Sequence, residues 1–380
     1  MGMYDGEFST AHLATLLNLP VLLVVDAYGM AESAGAVVKG FISYMSDTQI
    51  LGVIFNRVAS ERHYERLKKS VHDVSVLGYL PRDMNFEIPH RHLGLTVAEE
   101  NQISDENLTM LADTVLKHVD IKRIVKSLEF RIPNNYSFNT LDSKPKTRNS
   151  DSINIAVAYD KAFCFYYEEN MDLLRDAGAE IVRFSLLSGS GIPDGVDALY
   201  IGGGYPELYA EGLSKNMPML KSINEWANTG KPIYAECGGL MYLSQGIYDF
   251  NENFYKMAGV FPFRTGMKKE RAYLGYREII LKKDCILGKR GEILRGHEFH
   301  YSEIKKSAEV RKSGSTKAKS PSTSELSQIY SAKNSSGHDM SDEGYIFKNT
   351  LASYTHIHFS SNAGIAKNFV GFIKEHKWKT

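Results

Sequence analysis

Pro232-Ile233-Tyr234-Ala235-Glu236-Cys237-Gly238-Gly239-Leu240-Met241-Tyr242-Leu243 runs from a short apolar stretch, through a cysteine and two glycines, into a second apolar stretch. The first stretch has the length and composition of a buried strand, and the second begins a helix. The glycine pair allows a sharp turn between them. Strand, tight turn and helix is how α/β enzymes expose a nucleophile at the end of a parallel sheet. The free N–H groups and dipole at a helix N-terminus also favour a thiolate, the reactive form of cysteine. Cys237 is therefore the leading nucleophile candidate. The competing reading is a small buried hydrophobe, the usual fate of a free cysteine.

Outward from this elbow, strands and helices alternate. Ile153 to Ala158, Glu180 to Phe184, Ala198 to Ile201 and Pro232 to Ala235 read as buried strands, with Glu169 to Ala177 a helix between the first two. A second alternation precedes it: strands at Val21 to Val25, Ile50 to Phe55 and Val74 to Leu80, helices at Ala31 to Tyr44 and Glu61 to His72, and one more amphipathic helix over about Ile103 to Val125. The expected fold class is α/β, with two parallel-sheet domains. Residues 1–130 form the first, 131–152 (rich in Asn, Ser, Lys and Thr) a linker, and 153–380 the second. Residues from about 305 to 343 are mostly Ser, Lys, Thr, Gly and Glu and are expected to be a disordered insert, with too little to bury to offset their ordering entropy.

Length and charge fit this division. The 380 residues suffice for two ordinary cores. Lys plus Arg and Asp plus Glu both number 45, so there is no basic field to concentrate nucleic acid or anionic membrane. Three separated cysteines make neither a disulfide framework nor an ordinary zinc site, and they point to a reducing, cytoplasmic setting. No apolar run reaches the roughly 20 residues that span a bilayer. Small-molecule chemistry is the expected class.

A cysteine nucleophile needs a base and a place for the oxyanion. The strand-like Ser353-Tyr354-Thr355-His356-Ile357-His358-Phe359 puts His356 and His358 on one face, and the residues alone leave the two as equal candidates. Such a pair also suits a metal, but no third ligand is evident, so no stable metal site is expected. Gly202-Gly203-Gly204-Tyr205-Pro206-Glu207, directly after a buried strand, offers bare N–H groups, and Gly203, Gly204 and Gly238 are the oxyanion-hole candidates. A glycine-rich loop also suits a phosphate or a structural turn. His297, Glu298 and His300 fit a hairpin strand with its polar side chains on a cleft, while Cys164 and Cys285 read as inert.

The order GGGYPE, AECGGLMYL, SYTHIHF resembles the class I glutamine amidotransferases, in the branch that amidates corrinoids. Phe163-Cys164-Phe165-Tyr166-Tyr167-Glu168-Glu169-Asn170, Gly275-Tyr276-Arg277 and Arg295-Gly296-His297-Glu298-Phe299-His300-Tyr301 narrow the resemblance to the cobyrinic acid a,c-diamide synthase family. That resemblance implies His356 as the catalytic histidine with His358 as its neighbour. Ordinary class I glutaminases carry a glutamate where His358 stands, so a Cys–His dyad is implied. The resemblance extends to Met1-Gly2-Met3-Tyr4-Asp5-Gly6, Ser9-Thr10-Ala11-His12-Leu13-Ala14, Asp26 to Ala31, Gly52 to Arg57 and Pro81-Arg82-Asp83. It implies a first domain similar to dethiobiotin synthetase, a P-loop fold using ATP and Mg2+, with Asn56 and Pro81 at the nucleotide. Asp5 is implied near Mg2+ or the reacting carboxylate, and Ser9 and Thr10 at substrate carboxylates or as helix caps. No Gly-x-x-x-x-Gly-Lys-(Ser/Thr) stretch occurs here. The family places it ahead of the position of Met1, so the expectation is an N-terminally shortened chain. The implied reaction is ATP- and glutamine-dependent amidation of the a and c acetates of cobyrinic acid, with glutamine and a corrinoid as partners. Nickel-sirohydrochlorin, hydrogenobyrinic acid and a glutaminase-only remnant are the alternatives.

Overall fold

The computed structural model describes residues 9–44, 48–82, 103–129, 153–269, 273–305 and 326–376. It divides into two units, residues 1–146 and 147–380. The linker expected at 131–152 lies outside the described residues.

In the first unit, β1 (Val21–Asp26), β2 (Ile50–Val58) and β3 (Val76–Pro81) form a parallel sheet in that order. The described helices are α1 (Thr10–Leu16), α2 (Ser33–Tyr44), α3 (Glu61–Ser70), α4 (Asp105–His118) and α5 (Ile121–Glu129). Central β2 is the most buried strand, and Val53 and Phe55 share a core with Val25, Val38 and Leu67. The single helix expected over Ile103 to Val125 is two. Val119 is extended (φ −119°, ψ 133°), bridges Gly78, and Asp120 N donates to Leu77 O at 2.8 Å. The open edge of β3 offers backbone partners that outweigh one more helical turn, a tertiary effect with no local signature.

The strands of the second unit are β4 (Ile153–Ala158), β5 (Ala179–Phe184), β6 (Ala198–Ile201), β7 (Ile233–Glu236), β8 (Gly246–Tyr248), β9 (Phe254–Lys256), β10 (Arg264–Met267), β11 (Tyr273–Leu281), β12 (Ile293–His300), β13 (Ser302–Lys305), β14 (Ser327–Asn334), β15 (Glu343–Phe347), β16 (Thr350–Ser353) and β17 (His356–Ile357). Its described helices are α6 (Glu168–Asp176), α7 (Ala210–Lys215), α8 (Met217–Thr229), α9 (Gly238–Leu243) and α10 (Ile365–Glu375). A ten-stranded sheet runs β17-β12-β11-β14-β15-β16-β7-β6-β4-β5, with β16, β7, β6, β4 and β5 parallel and the others antiparallel. A smaller sheet runs β13-β10-β8-β9.

The inner parallel strands β16, β7 and β6 are buried throughout, and their alternation divides two cores. Leu199, Ile201, Ile233 and Ala235 face one core with Leu213, Leu220 and Ile223 of α7 and α8. Ala198, Tyr200 and Tyr234 face the other with Met171 and Leu174 of α6 and Phe369 of α10.

The antiparallel half curls. Only Tyr354 and Thr355 separate β16 from β17, yet the two stand five strand spacings apart in the sheet order, roughly 24 Å if it were flat. Three residues of extended chain reach only about 10 Å. The sheet therefore rolls until β12 and β17 return beside β7, and Cys237 Sγ meets Phe299 O of β12 at 3.9 Å.

The insert expected to be disordered over 305–343 is corrected in part. Ser327–Asn334 is a strand between β11 and β15, with Ile329, Tyr330 and Ala332 buried. Its three apolar side chains are too few to signal a strand locally, but neighbours on both edges satisfy its backbone.

Candidate active site

Cys237 lies between β7 and α9 at φ 49°, ψ −101°, a backbone region that non-glycine residues seldom occupy and that clusters at functional positions. Its N–H donates to Ser353 O at 2.7 Å, fixing the elbow to the end of β16. Gly239 packs so closely on β6 that a Cβ there would lie 2.2 Å from Ile201 O. The glycine pair thus permits both the turn and the close helix–strand approach.

The electrostatics differ from the sequence expectation. Burial first, and then the charge of Glu207, push the Cys237 thiol well up, although the Gly238 N–H pulls the other way. Helix α9 is only six residues long. A helix terminus contributes about 0.3–1 kcal/mol at an exposed site, whereas burial can shift a group by 3–5 pH units at about 1.4 kcal/mol each. Burial wins, and the resting thiol is protonated.

The loop after β6 brings in the histidine. A Cβ on Gly203 would lie 2.4 Å from His356 Cε1, so the bare glycine makes room for the imidazole. Gly203 differs from the expected oxyanion donor in one respect: its N–H donates to Phe165 O at 3.2 Å, while Phe165 N donates to Gly203 O at 3.1 Å. Gly204 N stands 3.2 Å from the place a Cβ on Gly238 would take, so Gly204 and Gly238 adjoin at the elbow.

His356 is buried, stacks on His297 (4.8 Å between centroids, 10° between planes), and meets the edge of Phe165 at 5.2 Å. Burial first, then His297 and His300, push its imidazole down to about 3, so it rests neutral. His358 goes elsewhere. Strand β17 ends at Ile357, and His358 leads into the 3-10 turn Phe359–Ser361. Its Nε2 is 3.3 Å from Glu169 Oε2 and its ring lies against Tyr167. Buried Asn170 clamps this segment, donating from Nδ2 to Ile357 O and accepting at Oδ1 from Phe359 N, both at 2.8 Å.

Two groups of residues add to the sequence reading, in which Glu236 and Glu343 had no role and Glu298 and His300 were polar side chains of a hairpin strand facing a cleft. Glu236 is a buried carboxyl at the end of an apolar strand. Oε1 accepts from Tyr234 Oη at 2.6 Å and Ile357 N at 2.9 Å, and Oε2 from Tyr200 Oη at 2.9 Å. Oε2 also stands 3.9 Å from His356 Nδ1. Burial pushes this carboxyl up to about 7, against the donors that lower it. A charged residue within an otherwise apolar strand was the available signal. The second group lies on the antiparallel strands. Arg277 Nε and Nη2 donate to Glu298 Oε2 at 2.9 and 2.7 Å with both side chains buried, and Glu343 accepts from Ser353 Oγ and Tyr354 N. His300 is buried, and its ring stacks on Tyr354.

In the first unit, Asn56 of β2 is in register with Asp26 of β1, and Pro81 ends β3 opposite Val58. Both stand at carboxyl ends of parallel strands, the edge where open α/β sheets bind ligands. Asn56 Oδ1 accepts from Arg57 N at 2.9 Å, and Arg57 pairs with Asp26. Ser9 caps α1, its hydroxyl accepting from His12 N at 3.0 Å, and Thr10 begins that helix. Asp5 lies outside the described residues. Among the described residues no three His, Cys, Asp or Glu converge on a metal position, and no helix is long and apolar enough to cross a membrane.

Residues 154–364 match the family model of the CobB/CobQ-like glutamine amidotransferase domain. The cobyrinate a,c-diamide synthase of Caldanaerobacter subterraneus subsp. tengcongensis is 38% identical over 97% of this chain and 78% of its own length. That of Priestia megaterium is 38% identical over 99% and 79%. Among solved structures, a glutamine amidotransferase from Methylobacillus flagellatus aligns with 54% of this chain and 69% of its own at 11% identity and a TM-score of 0.32.

Proposed function

The chain belongs to the cobyrinate a,c-diamide synthase family, and from that premise we propose that it amidates the a and c acetate carboxylates of cobyrinic acid with ammonia released from glutamine at Cys237 and His356. As a member of that family it is an enzyme, a carbon–nitrogen ligase of the glutamine amidotransferase kind. One observation carries the site assignment. A cysteine held at positive φ ends a buried parallel strand, and a buried neutral imidazole packs on the adjoining glycine loop.

The resting pair is neutral on both sides, so charge is created only as a pair. When the glutamine side-chain amide enters, the Cys237 proton passes to His356 and Sγ adds to the amide carbon. The oxyanion is received by the N–H groups of Gly204 and Gly238. Gly203 supports this step by giving His356 its place. His356 returns the proton to the amide nitrogen, the C–N bond breaks, and ammonia leaves a thioester. Water, losing a proton to His356, opens the thioester, giving glutamate and the free thiol. His358 holds the end of this segment through Glu169.

For residues 1–130 we assign the ATP-using half, with Asn56 and Pro81 at the nucleotide and residues 153–380 as the glutaminase domain. ATP converts the corrin carboxylate to an acyl phosphate, and ammonia displaces phosphate. Asp5, the candidate for Mg2+ or the reacting carboxylate, is outside the described residues, and the Ser9 hydroxyl accepts the His12 N–H as the cap of α1. The described residues alone do not make a magnesium site.

Mass spectrometry of products from cobyrinic acid, glutamine and ATP tests the reaction, with successive mono- and diamide as the expected result. Turnover of nickel-sirohydrochlorin instead would move the substrate assignment. Cys237→Ala should abolish glutamine-driven amidation and leave amidation driven by ammonium chloride. A variant that still consumes glutamine would sink the site assignment.

A further inference from the structure

We propose that Glu236 is the positioning residue of His356: its Oε2 keeps hydrogen on Nδ1, leaving Nε2 to take the thiol proton, and balances the imidazolium that results. The proposal rests on the reading that Cys237 and His356 carry out the glutaminase chemistry.

Three features of the site support it. First, the carboxylate is aimed and held. Tyr234 Oη and Ile357 N occupy Oε1, while Oε2 accepts only from Tyr200 Oη among the described residues. A carboxylate oxygen accepts about two hydrogen bonds, so Oε2 retains capacity on the side where His356 Nδ1 stands 3.9 Å away. Second, the bond to Ile357 N ties the carboxylate to the backbone beside His356, so the two side chains keep their relative placement. Third, among the described residues that face it, the buried carboxylate has one group able to become a cation. The titratable groups facing Glu236 are Tyr166, Tyr167, Tyr200, Tyr234, Tyr330, Cys237 and His356. The tyrosines and the cysteine are neutral or acidic, and only His356 can become positive. His356 in turn is faced by His297 and His300, both pushed down by burial, and by Glu236 as its one anion among these groups.

At rest Nδ1 stands 3.9 Å from Oε2, beyond hydrogen-bond length, so the carboxylate biases hydrogen toward Nδ1 by its charge alone. When Nε2 takes the thiol proton, the ring gains a full charge facing the carboxylate, and the contact becomes an ion pair that tightens. Only the thiol proton moves. Nδ1 keeps its hydrogen, Glu236 stays ionised, and the proton on Nε2 later leaves with ammonia.

The test is glutamine hydrolysis by the full chain across about pH 5.5 to 9, for the parent, Glu236→Gln, Tyr200→Phe and Cys237→Ala. The parent should show an acid limb near the value of about 7 to which burial pushes this carboxyl. Glu236→Gln should lose that limb and about 10- to 100-fold in kcat, with KM for glutamine nearly unchanged. Tyr200→Phe keeps the carboxylate but removes a donor to Oε2, so its limb should move up by about half a pH unit to one unit. It serves also where Glu236→Gln does not fold, because an altered packing contact alone would not move a titration. If Cys237→Ala is inactive while Glu236→Gln and Tyr200→Phe keep the parent profile, the positioning role is wrong and the glutaminase reading stands. If Cys237→Ala still hydrolyses glutamine, the reading beneath the proposal fails and takes the proposal with it.

Discussion

The parallel half of the ten-stranded sheet and its antiparallel half each hold one member of the proposed catalytic pair, by opposite means. The parallel half presents Cys237 through consecutive residues: a strand, a cysteine at positive φ, two glycines and a helix. The antiparallel half presents His356 from a two-residue strand paired to β12, placed only because the intervening strands curl round. Each half also holds a buried carboxylate in its own way. Glu236 is held by hydroxyl and backbone donors, and Glu298 by the guanidinium of Arg277. Local geometry places the proposed nucleophile, whereas long-range assembly places its proposed base, so the second should be the easier to break.

Removing the cation is the largest expected blow. Arg277→Met leaves Glu298 buried without its partner, a change worth about 3–5 kcal/mol in comparable cases. Urea unfolding should show that loss, and Arg277→Met with Glu298→Leu should recover much of it. A single variant as stable as the parent would show that the antiparallel half does not depend on this pair.

Glu343 of β15 tests the seam between the halves, since it receives Ser353 Oγ and Tyr354 N where β16 runs toward β17. Burial first, then the charge of Glu298, push its carboxyl from about 4.5 up to about 7. Below the lower value both folded and unfolded chains hold the proton. Between the two values only the folded chain does, so this group's contribution falls as pH rises toward 7. The gap corresponds to about 3 kcal/mol at most. The stability advantage of the parent over Glu343→Gln should therefore shrink between about pH 5 and pH 8 by up to that amount, and a pH-independent difference would contradict it. Burial of His300 and His356 depresses their imidazoles and favours the folded state as pH rises. Only the difference between parent and variant isolates Glu343.

Gly203→Ala joins the two halves in one substitution. The added methyl meets His356 Cε1 at 2.4 Å, so the imidazole must move by about an ångström. Misplacement of that size costs about 100-fold in rate. Glutamine hydrolysis should drop accordingly while the thermal midpoint changes little. Full activity would mean that His356 does not work from this position.

Legibility in the sequence follows the same division. The parallel strands announce themselves as short apolar runs, and the elbow is written in adjacent residues, so Cys237 and the Gly202 to Glu207 loop could be read locally. The two histidines could not be separated from the residues alone, because their difference lies in what folds against them: Gly203, His297 and Glu236 for His356, and Glu169 and Tyr167 for His358. Family resemblance, not spacing, singled out His356. Strand β14 stayed hidden in a Ser- and Lys-rich stretch because one of its two partners, β11, lies some tens of residues away. The thiol's protonation was misjudged because a helix start is visible in sequence and the depth of burial is not.

Tyrosine gives the smallest and most discriminating test, since the same change should act with opposite sign in the two halves. Tyr234 of β7 spends its hydroxyl on Glu236 Oε1, whereas Tyr330 of β14 buries a hydroxyl with no hydrogen-bond partner among the described residues. Tyr234→Phe removes a donor from a buried carboxylate and should cost about 1 kcal/mol or somewhat more. Tyr330→Phe removes a hydroxyl that was desolvated without compensation, and it keeps the ring packed against Gly344, where an added Cβ would lie 2.5 Å from Tyr330 Cγ. Its stability should equal that of the parent or exceed it by up to about 1 kcal/mol. Paired urea titrations of the two variants read the difference directly. A loss at Tyr330 as large as that at Tyr234 would mean that the antiparallel half, like the parallel half, depends on a satisfied polar network at that position.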